Sequence, residues 1–265
     1  MITGEGKTAQ MKERRYDVIL WDADNTLLNF DQSQDYAIRE SFRQYKIEID
    51  EEIVAAYSAI NDSYWKRLER KEIEKLEVLR GRFVTLFREL SPGGALSHKK
   101  LPADVLSQID VDVFRKLYQQ YLGSVYFYLD DSISLCKKLK EQGFCQYIIT
   151  NGVLATQQNK LSLAGFYEVM DDVFISEEIG FNKPDVRFFE GCFDRMRQAG
   201  HEVAASRMLI VGDSPTSDMQ GARNAGIDCC QYLGMGPRED AQATYHIGNL
   251  WEVEDIICQN QPTRN

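Results

Sequence analysis

Two aspartates, Asp22 and Asp24, stand one residue apart directly after the apolar run Val18-Ile19-Leu20-Trp21. Three later apolar runs also lead into residues able to do chemistry. Gln146–Ile149 runs into Thr150-Asn151-Gly152, Asp172–Ser176 is followed by Asn182-Lys183-Pro184, and Met208–Val211 ends in Gly212-Asp213-Ser214 with Asp218 beyond. Carboxylates gathered at one place repel unless a cation neutralises them, and an all-oxygen donor set suits a hard ion such as Mg²⁺. Such a metal beside an amine and a hydroxyl could hold a phosphoryl group with its equatorial oxygens shielded. Asp22 could then attack phosphorus in line to give an aspartyl-phosphate. Asp24 could protonate the leaving oxygen and later deprotonate the hydrolytic water. Lys183 would supply a point charge, and Thr150 a hydrogen bond, to the same oxygens.

For these residues to meet, several strand ends must share one rim. Val18–Trp21 is short and apolar throughout, the pattern of a strand buried on both faces. From residue 130 strands and helices alternate. Ser132 is placed to cap a helix through Leu135 and Leu139 that ends near Gly143, and Leu154, Leu161 and Leu163 mark the next. Pro184 suits the first turn of a helix with Phe188, Phe189, Cys192, Phe193 and Met196 on one side. Pro215 to Ala225 reads as a helix closed by Gly226, and Ile227–Leu233 and Trp251–Cys258 continue the alternation. This pattern implies a parallel sheet covered on both faces, which binds ligands at the carboxyl ends of its strands beside a topological switch point.

Residues 32–128 have another texture. Ala37, Phe42 and Tyr45, then Ile53, Tyr57, Ile60, Tyr64 and Leu68, recur at helical spacing. Leu76, Leu79, Phe83, Leu86, Phe87 and Leu90 continue it, Ser91-Pro92-Gly93-Gly94 interrupts as a loop, and Val113, Leu117 and Tyr121 close it. The expected fold class is therefore α/β: a doubly wound parallel-sheet core of residues 16–31 plus 129–260, with an all-helical cap inserted at 32–128.

A chain of 265 residues has room for that insert. Its net charge of −10 argues against binding a nucleic-acid polymer through a basic surface. No apolar run approaches the roughly 18 residues a membrane helix needs, and residues 1–15 lack the apolar stretch of a secretory signal. The six cysteines include no C-x-x-C pair and read as reduced thiols of a cytoplasmic protein.

The four segments resemble, in order and in strand-end context, the motifs of the haloacid dehalogenase superfamily of phosphohydrolases. Trp21–Leu27 resembles the first, Ile149–Gly152 the second, Lys183 the third, and Val211–Ala222 the fourth. The stretches Asp22–Asp31, Gly81–Phe83, Ile149–Gln157 and Ile175–Asp185 are further similar to the pyrimidine 5′-nucleotidases of the YjjG type. That resemblance implies a Rossmann-like core and hydrolysis of nucleoside 5′-monophosphates, mainly pyrimidine and deoxy ones, with Mg²⁺ or Mn²⁺. It makes Asp22 the nucleophile and Asp24 the general acid/base, and gives Thr150, Asn151 and Lys183 to the phosphate. The metal would be held by the Asp22 carboxylate, the Asp24 carbonyl and Asp213, with Asp218 behind it. The superfamily usually has glycine where this chain has Asn25, which tolerates a left-handed backbone better than most residues.

Plainer readings exist for each residue. A strand-end aspartate can be only a turn or helix cap, Thr150-Asn151-Gly152 an ordinary turn, and Lys183 a solvated lysine. Asp218 could touch metal directly, support it from behind, or merely favour its helix dipole. In the insert, Tyr57 and Tyr64 read as core or interface, whereas Phe30, Trp65 and Arg82 are the groups expected to face a nucleoside. The Lys71–Lys75 charge run reads as a solvated helix face, and His98, His201 and His246 show no metal-ligand spacing. Competing functions are a phosphatase for sugar phosphates or other small metabolites, and a phosphomutase. Outside enzymes, the competitor is a phosphoaspartate signalling switch, which the position of Asp22 on the first strand disfavours.

Overall fold

All four residues of β1 (Val18–Trp21) are buried, and the two-residue period of a strand divides them between opposite faces. Ile19 and Trp21 pack with Leu135, Ile148, Leu209 and Val211, while Val18 and Leu20 pack with Phe188, Phe189, Met208 and Ile210. The computed structural model describes residues 14–258 except 100, 102, 237 and 238. Most of the polar leader and residues 259–260, assigned above to the core, thus lie outside the described residues.

After β1 come α1 (Phe30–Arg43), α2 (Glu51–Glu69), α3 (Lys75–Leu90), the single turn α4 (Ala103–Leu106) and α5 (Val111–Leu122). The chain continues through α6 (Ser132–Glu141), β2 (Cys145–Thr150), α7 (Leu154–Leu163), β3 (Asp172–Ile175), α8 (Ser176–Ile179) and α9 (Val186–Gln198). It closes with β4 (Met208–Gly212), α10 (Gln220–Ala225), β5 (Asp228–Tyr232), β6 (Tyr245–Ile247) and α11 (Val253–Ile257). The strands form one parallel sheet in the order β3-β2-β1-β4-β5-β6. This is the Rossmann order, and its direction reverses between β1 and β4, the place where such sheets bind ligands.

The helices between β1 and α6 have a hydrophobic core of their own. α1 packs chiefly on α5 and α2 on α3, and Asn29, Asp50 and Asp110 cap α1, α2 and α5 by accepting from first-turn amides. At the centre, the Phe83 ring lies 5.5 Å from Tyr57, 5.3 Å from Phe114 and 5.2 Å from Tyr118. Such pairs add about 0.5–1.5 kcal/mol each beyond simple burial.

Several local expectations are corrected. α5 buries Phe114, Tyr118 and Leu122, not Val113, Leu117 and Tyr121; the two stripes differ by one residue, and the bulkier aromatic one wins the core. Leu76 is 62% exposed. Ser132 does not cap α6: Asp131 precedes it in a left-handed conformation, and the Ser132 hydroxyl donates to the Leu27 carbonyl at 2.6 Å. Pro184 lies before α9, whose cap is Asp185. Pro215–Met219 is a π-helical turn leading into α10 rather than one continuous helix. The short β6, with only Ile247 fully buried, carries too little apolar pattern to be seen in advance. Residues 71–74 form a turn, not a helix face, because Ile73 tucks in beside Leu68 and Val78. All six cysteines are free, and among the described residues no helix is long and apolar enough to cross a membrane.

Candidate active site

The four strand-end segments converge at the switch point. Lys183 is 1% exposed, and its ammonium donates to Asp22 Oδ1 at 2.7 Å, Asp218 Oδ1 at 2.6 Å and the Ile149 carbonyl at 2.9 Å. An ammonium has three protons, so all are engaged. Asn151 sets this lysine in place: its Oδ1 accepts from the Lys183 amide at 2.8 Å, and its Nδ2 donates to the Lys183 carbonyl at 2.9 Å. The Asn151 side chain is therefore tied to the backbone of Lys183. Asp218 also accepts from the Ser214 amide at 3.1 Å. A β-carbon on Gly212 would lie 2.4 Å from the Asp218 carboxyl carbon, so only glycine lets that carboxyl approach the end of β4.

Oxygens of Asp22, Asp213 and Asp218 lie within 4.8 Å of one another. Burial, reinforced by Asp218 and Asp24 and opposed by Lys183, pushes Asp22 up to about 7. Burial, then Asp22 and Asp218, raises Asp213 well above the carboxylate range. Burial pulls the Lys183 ammonium down, but Asp218 and Asp22 outweigh it and its affinity for the proton rises. Carboxylates that crowd until they resist ionisation are what a divalent cation relieves, and this all-oxygen set fits Mg²⁺.

Asp24 sits beside this cluster on another set of partners. Its Oδ2 accepts from Gln157 Nε2 at 2.6 Å, and its Oδ1 pairs with Lys160. Gln157 Nε2 also donates to Thr150 Oγ1 at 2.8 Å. Gly152 admits Gln157 to this position, since a β-carbon there would meet its Nε2 at 2.3 Å. Asn25 bridges floor and roof with φ of +63°, its Oδ1 accepting from the Phe30 amide at 2.9 Å.

A cavity of about 210 Å³ opens above these groups, lined by Asp22, Asp24, Thr150, Asn151, Lys183, Asp213 and Asp218 below and by Phe30, Trp65 and Arg82 above. All the site residues expected from sequence thus border one space. Sequence reasoning missed Gln157 and Lys160, each 1% exposed although polar. Their three-residue spacing on α7, directly after the second motif, was the available signal. It also missed Lys75, which donates to the Asn151 carbonyl at 3.0 Å, the Gly152 carbonyl at 2.8 Å and Ser176 Oγ at 3.2 Å. The solvated-face expectation for Lys71–Lys75 is corrected accordingly: the Lys75 side chain is only 17% exposed. None of the histidines approaches the acidic cluster; His201 meets Tyr147, His98 meets Glu52 and His246 meets the Asp240 carbonyl.

The switch-point floor under a helical roof defines the class as a Rossmann-like α/β protein with an acidic pair just past the end of its central strand β1. The family of haloacid dehalogenase-like hydrolases matches residues 16–226, and the chain belongs to it. It is 32% identical to the HAD-hydrolase YfnB of Bacillus subtilis over 248 residues, 92% of this chain and 96% of that one. It is 30% identical to the pyrimidine 5′-nucleotidase PynA of Streptococcus pneumoniae over 92% of this chain and 96% of its relative. With the pyrimidine 5′-nucleotidase YjjG of Escherichia coli it shares 27% identity over 93% of this chain and all of that one. The crystal structure of YfnB, described as bound to magnesium and revealing interdomain movement, superposes with a TM-score of 0.78 over 92% of this chain and 99% of YfnB.

Proposed function

We propose that the protein is a Mg²⁺-dependent phosphomonoesterase acting through a phosphorylated Asp22, with pyrimidine and deoxy nucleoside 5′-monophosphates as preferred substrates. The observation that carries the reaction class is Lys183, buried between Asp22 and Asp218 beside Asp213 at the switch point of the sheet. The nucleotide assignment is supported by likeness to two pyrimidine 5′-nucleotidases over nearly the whole chain.

In this reading the Asp22 carboxylate, the Asp24 carbonyl and Asp213 would hold Mg²⁺, with Asp218 behind them on Lys183. Bound there, it would supply positive charge to offset the phosphoryl oxygens and the repulsion of the cluster. Lys183, itself set by Asn151, holds the Asp22 carboxylate in position for in-line attack on phosphorus. As the bond from phosphorus to the leaving oxygen breaks, Asp24 delivers a proton to that oxygen. Asp24 then takes a proton from water as the water attacks phosphorus, and phosphate departs from Asp22. Gln157 and Lys160 keep the Asp24 carboxyl at the cavity wall between these transfers. Phosphorylation of Asp22 to the acyl phosphate removes the carboxylate charge, which frees one Lys183 proton for the phosphoryl oxygens beside Thr150. Residues 32–128 act as a cap that excludes water when closed, and substrate enters through movement of the cap against the core; interdomain movement is described for YfnB.

The test is a phosphate-release screen over nucleoside 5′-monophosphates and sugar phosphates, with Mg²⁺ and with EDTA. Release from pyrimidine nucleotides that EDTA abolishes is expected. Inert nucleotides beside a sugar phosphate that turns over would overturn the nucleotidase reading.

A further inference from the structure

The roof contains a buried cation with part of its hydrogen-bonding capacity unmet. Arg82 on α3 is 1% exposed and lines the cavity. Its Nη1 donates to Asn61 Oδ1 at 2.5 Å, while its Nε and Nη2 have no hydrogen-bond partner. The guanidinium carbon lies 4.9 Å over each of the Phe83 and Tyr118 rings. Leaving a charged donor both desolvated and unmet is unfavourable. Well-packed apolar side chains would hold three helices together at least as well, so the position is poorly explained by stability.

The surroundings orient the guanidinium. Asn61 Nδ2 donates to Gln34 Oε1 at 2.7 Å, and Gln34 Nε2 donates to Ser58 Oγ at 3.1 Å. Each amide is fixed by the next, so Asn61 presents its oxygen to Arg82, and α1, α2 and α3 are all tied to the direction of one planar group. A guanidinium only donates, and its Nε–Nη2 edge is a rigid fork. The missing partner must be an acceptor, and the cavity that Arg82 borders is where one can enter. Because both nitrogens, like the unpartnered Tyr57 and Tyr118 hydroxyls, are closed off from solvent in this form, the guanidinium must shift toward the cavity to meet it.

Its chemistry can be narrowed. Asp62, although paired with Lys66 at 2.6 Å, and Glu69 also line the cavity and offset the charge of Arg82, which favours a neutral acceptor over a second anionic group. Phe30 and Trp65 border the same space and supply aromatic surface for a flat ring. We propose that Arg82 is a specificity-determining residue whose free Nε–H and Nη2–H donate to the C2 carbonyl of a pyrimidine base. The inference rests on the nucleotidase reading and sharpens it. Uracil, thymine and cytosine share that carbonyl and adenine has no ring carbonyl, so Arg82 separates pyrimidines from adenine without distinguishing among pyrimidines.

The test compares kcat/KM for dUMP and for 2-deoxyribose 5-phosphate, which lacks the base, in the wild type, Arg82→Met and Arg82→Lys. The dUMP preference is expected to fall about 10- to 100-fold in Arg82→Met, mostly through KM, the range for one hydrogen bond to a charged donor. Arg82→Lys should recover little of it, because a point charge lacks the fork. An unchanged ratio overturns the role of Arg82 while leaving the nucleotidase reading intact. A wild type inert on every nucleotide overturns both. Because Arg82→Met could fail to fold, the wild type is also assayed with N-linked 2-pyridone and 4-pyridone deoxyriboside 5′-monophosphates, which keep and lack the C2 carbonyl. The 4-pyridone compound should be at least about 10-fold poorer, and equal turnover overturns the proposal.

Discussion

On the floor of the cavity charge meets charge, whereas in the roof a charge is left waiting. Lys183 gives every proton to an acceptor, and both Asp218 oxygens have donors. Arg82, equally buried, has one nitrogen bonded and two without partners. The floor is assembled from strand ends whose register is set by the sheet, so its groups can be held against each other before substrate arrives. The roof is assembled from helices that pack on one another, and that packing leaves two of the Arg82 nitrogens without an acceptor. Under the proposed function, reaction falls to the floor and selection to the roof, two regions that differ in how fully their buried cations are paired.

The largest effects should come from breaking the floor. Asp22→Asn should reduce phosphate release by at least about 10³-fold, as loss of a nucleophile does, while circular dichroism shows a folded protein. Retention of more than a tenth of wild-type turnover would mean that Asp22 is not the nucleophile. Lys183→Met should also abolish activity, but with a stability loss of about 3–5 kcal/mol, because it strands Asp22 and Asp218 in a buried site. A urea midpoint equal to that of the wild type would show that the pairing on the floor is not structural. Together the two variants separate chemistry from stability in the one region where both reside, whereas the expected signature of Arg82 in the roof is a changed substrate ratio.

The same contrast governs what could be seen before folding. The core was legible because three of its strands are short apolar runs that lead at once into a site residue: Trp21 into Asp22, Ile149 into Thr150, and Gly212 into Asp213. Local order and the direction of a parallel strand then suffice to bring them together. Gln157, Lys160 and Lys75 were missed because their burial depends on elements distant in sequence. Lys160 meets Asp24 across 136 residues, and Lys75 meets Asn151 across 76. Arg82 was legible as a roof residue expected to face a nucleoside, but not as a buried and partly unmatched donor. That it has an unmatched fork follows from the Ser58–Gln34–Asn61 chain, which no residue spacing announces.

The seam between the regions offers smaller tests. Lys75 on α3 reaches down to two carbonyls at the end of β2, to Ser176 and to Glu177 at 3.2 Å. Burial pulls its pKa down although Glu177 opposes the shift, so this ammonium is held by geometry more than by a strong countercharge. Lys75→Met should lower stability by about 1–2 kcal/mol through acceptors left unmet and raise KM more than it lowers kcat by loosening the closed cap. An effect on kcat alone would place Lys75 in the chemistry instead.

Lys71, only four residues earlier, supplies the control. It also crosses the seam, to Asp185 at 3.0 Å, but its side chain is 72% exposed. Removing it in Lys71→Ala should change stability by less than about 0.5 kcal/mol, and less still in high salt. Asp185 keeps a depressed pKa chiefly through Arg187, with Lys71 a lesser cause. A carboxylate depressed in the folded state contributes stability above its unfolded pKa of about 3.9, and that stability is lost as pH falls through the folded value. Asp185→Asn should therefore flatten the acid side of the stability profile more than Lys71→Ala does. If the two variants flatten it equally, Lys71 from across the seam holds Asp185 as strongly as the local Arg187, whose side chain is itself 54% exposed. Burial would then not be what separates an effective cap contact from an idle one.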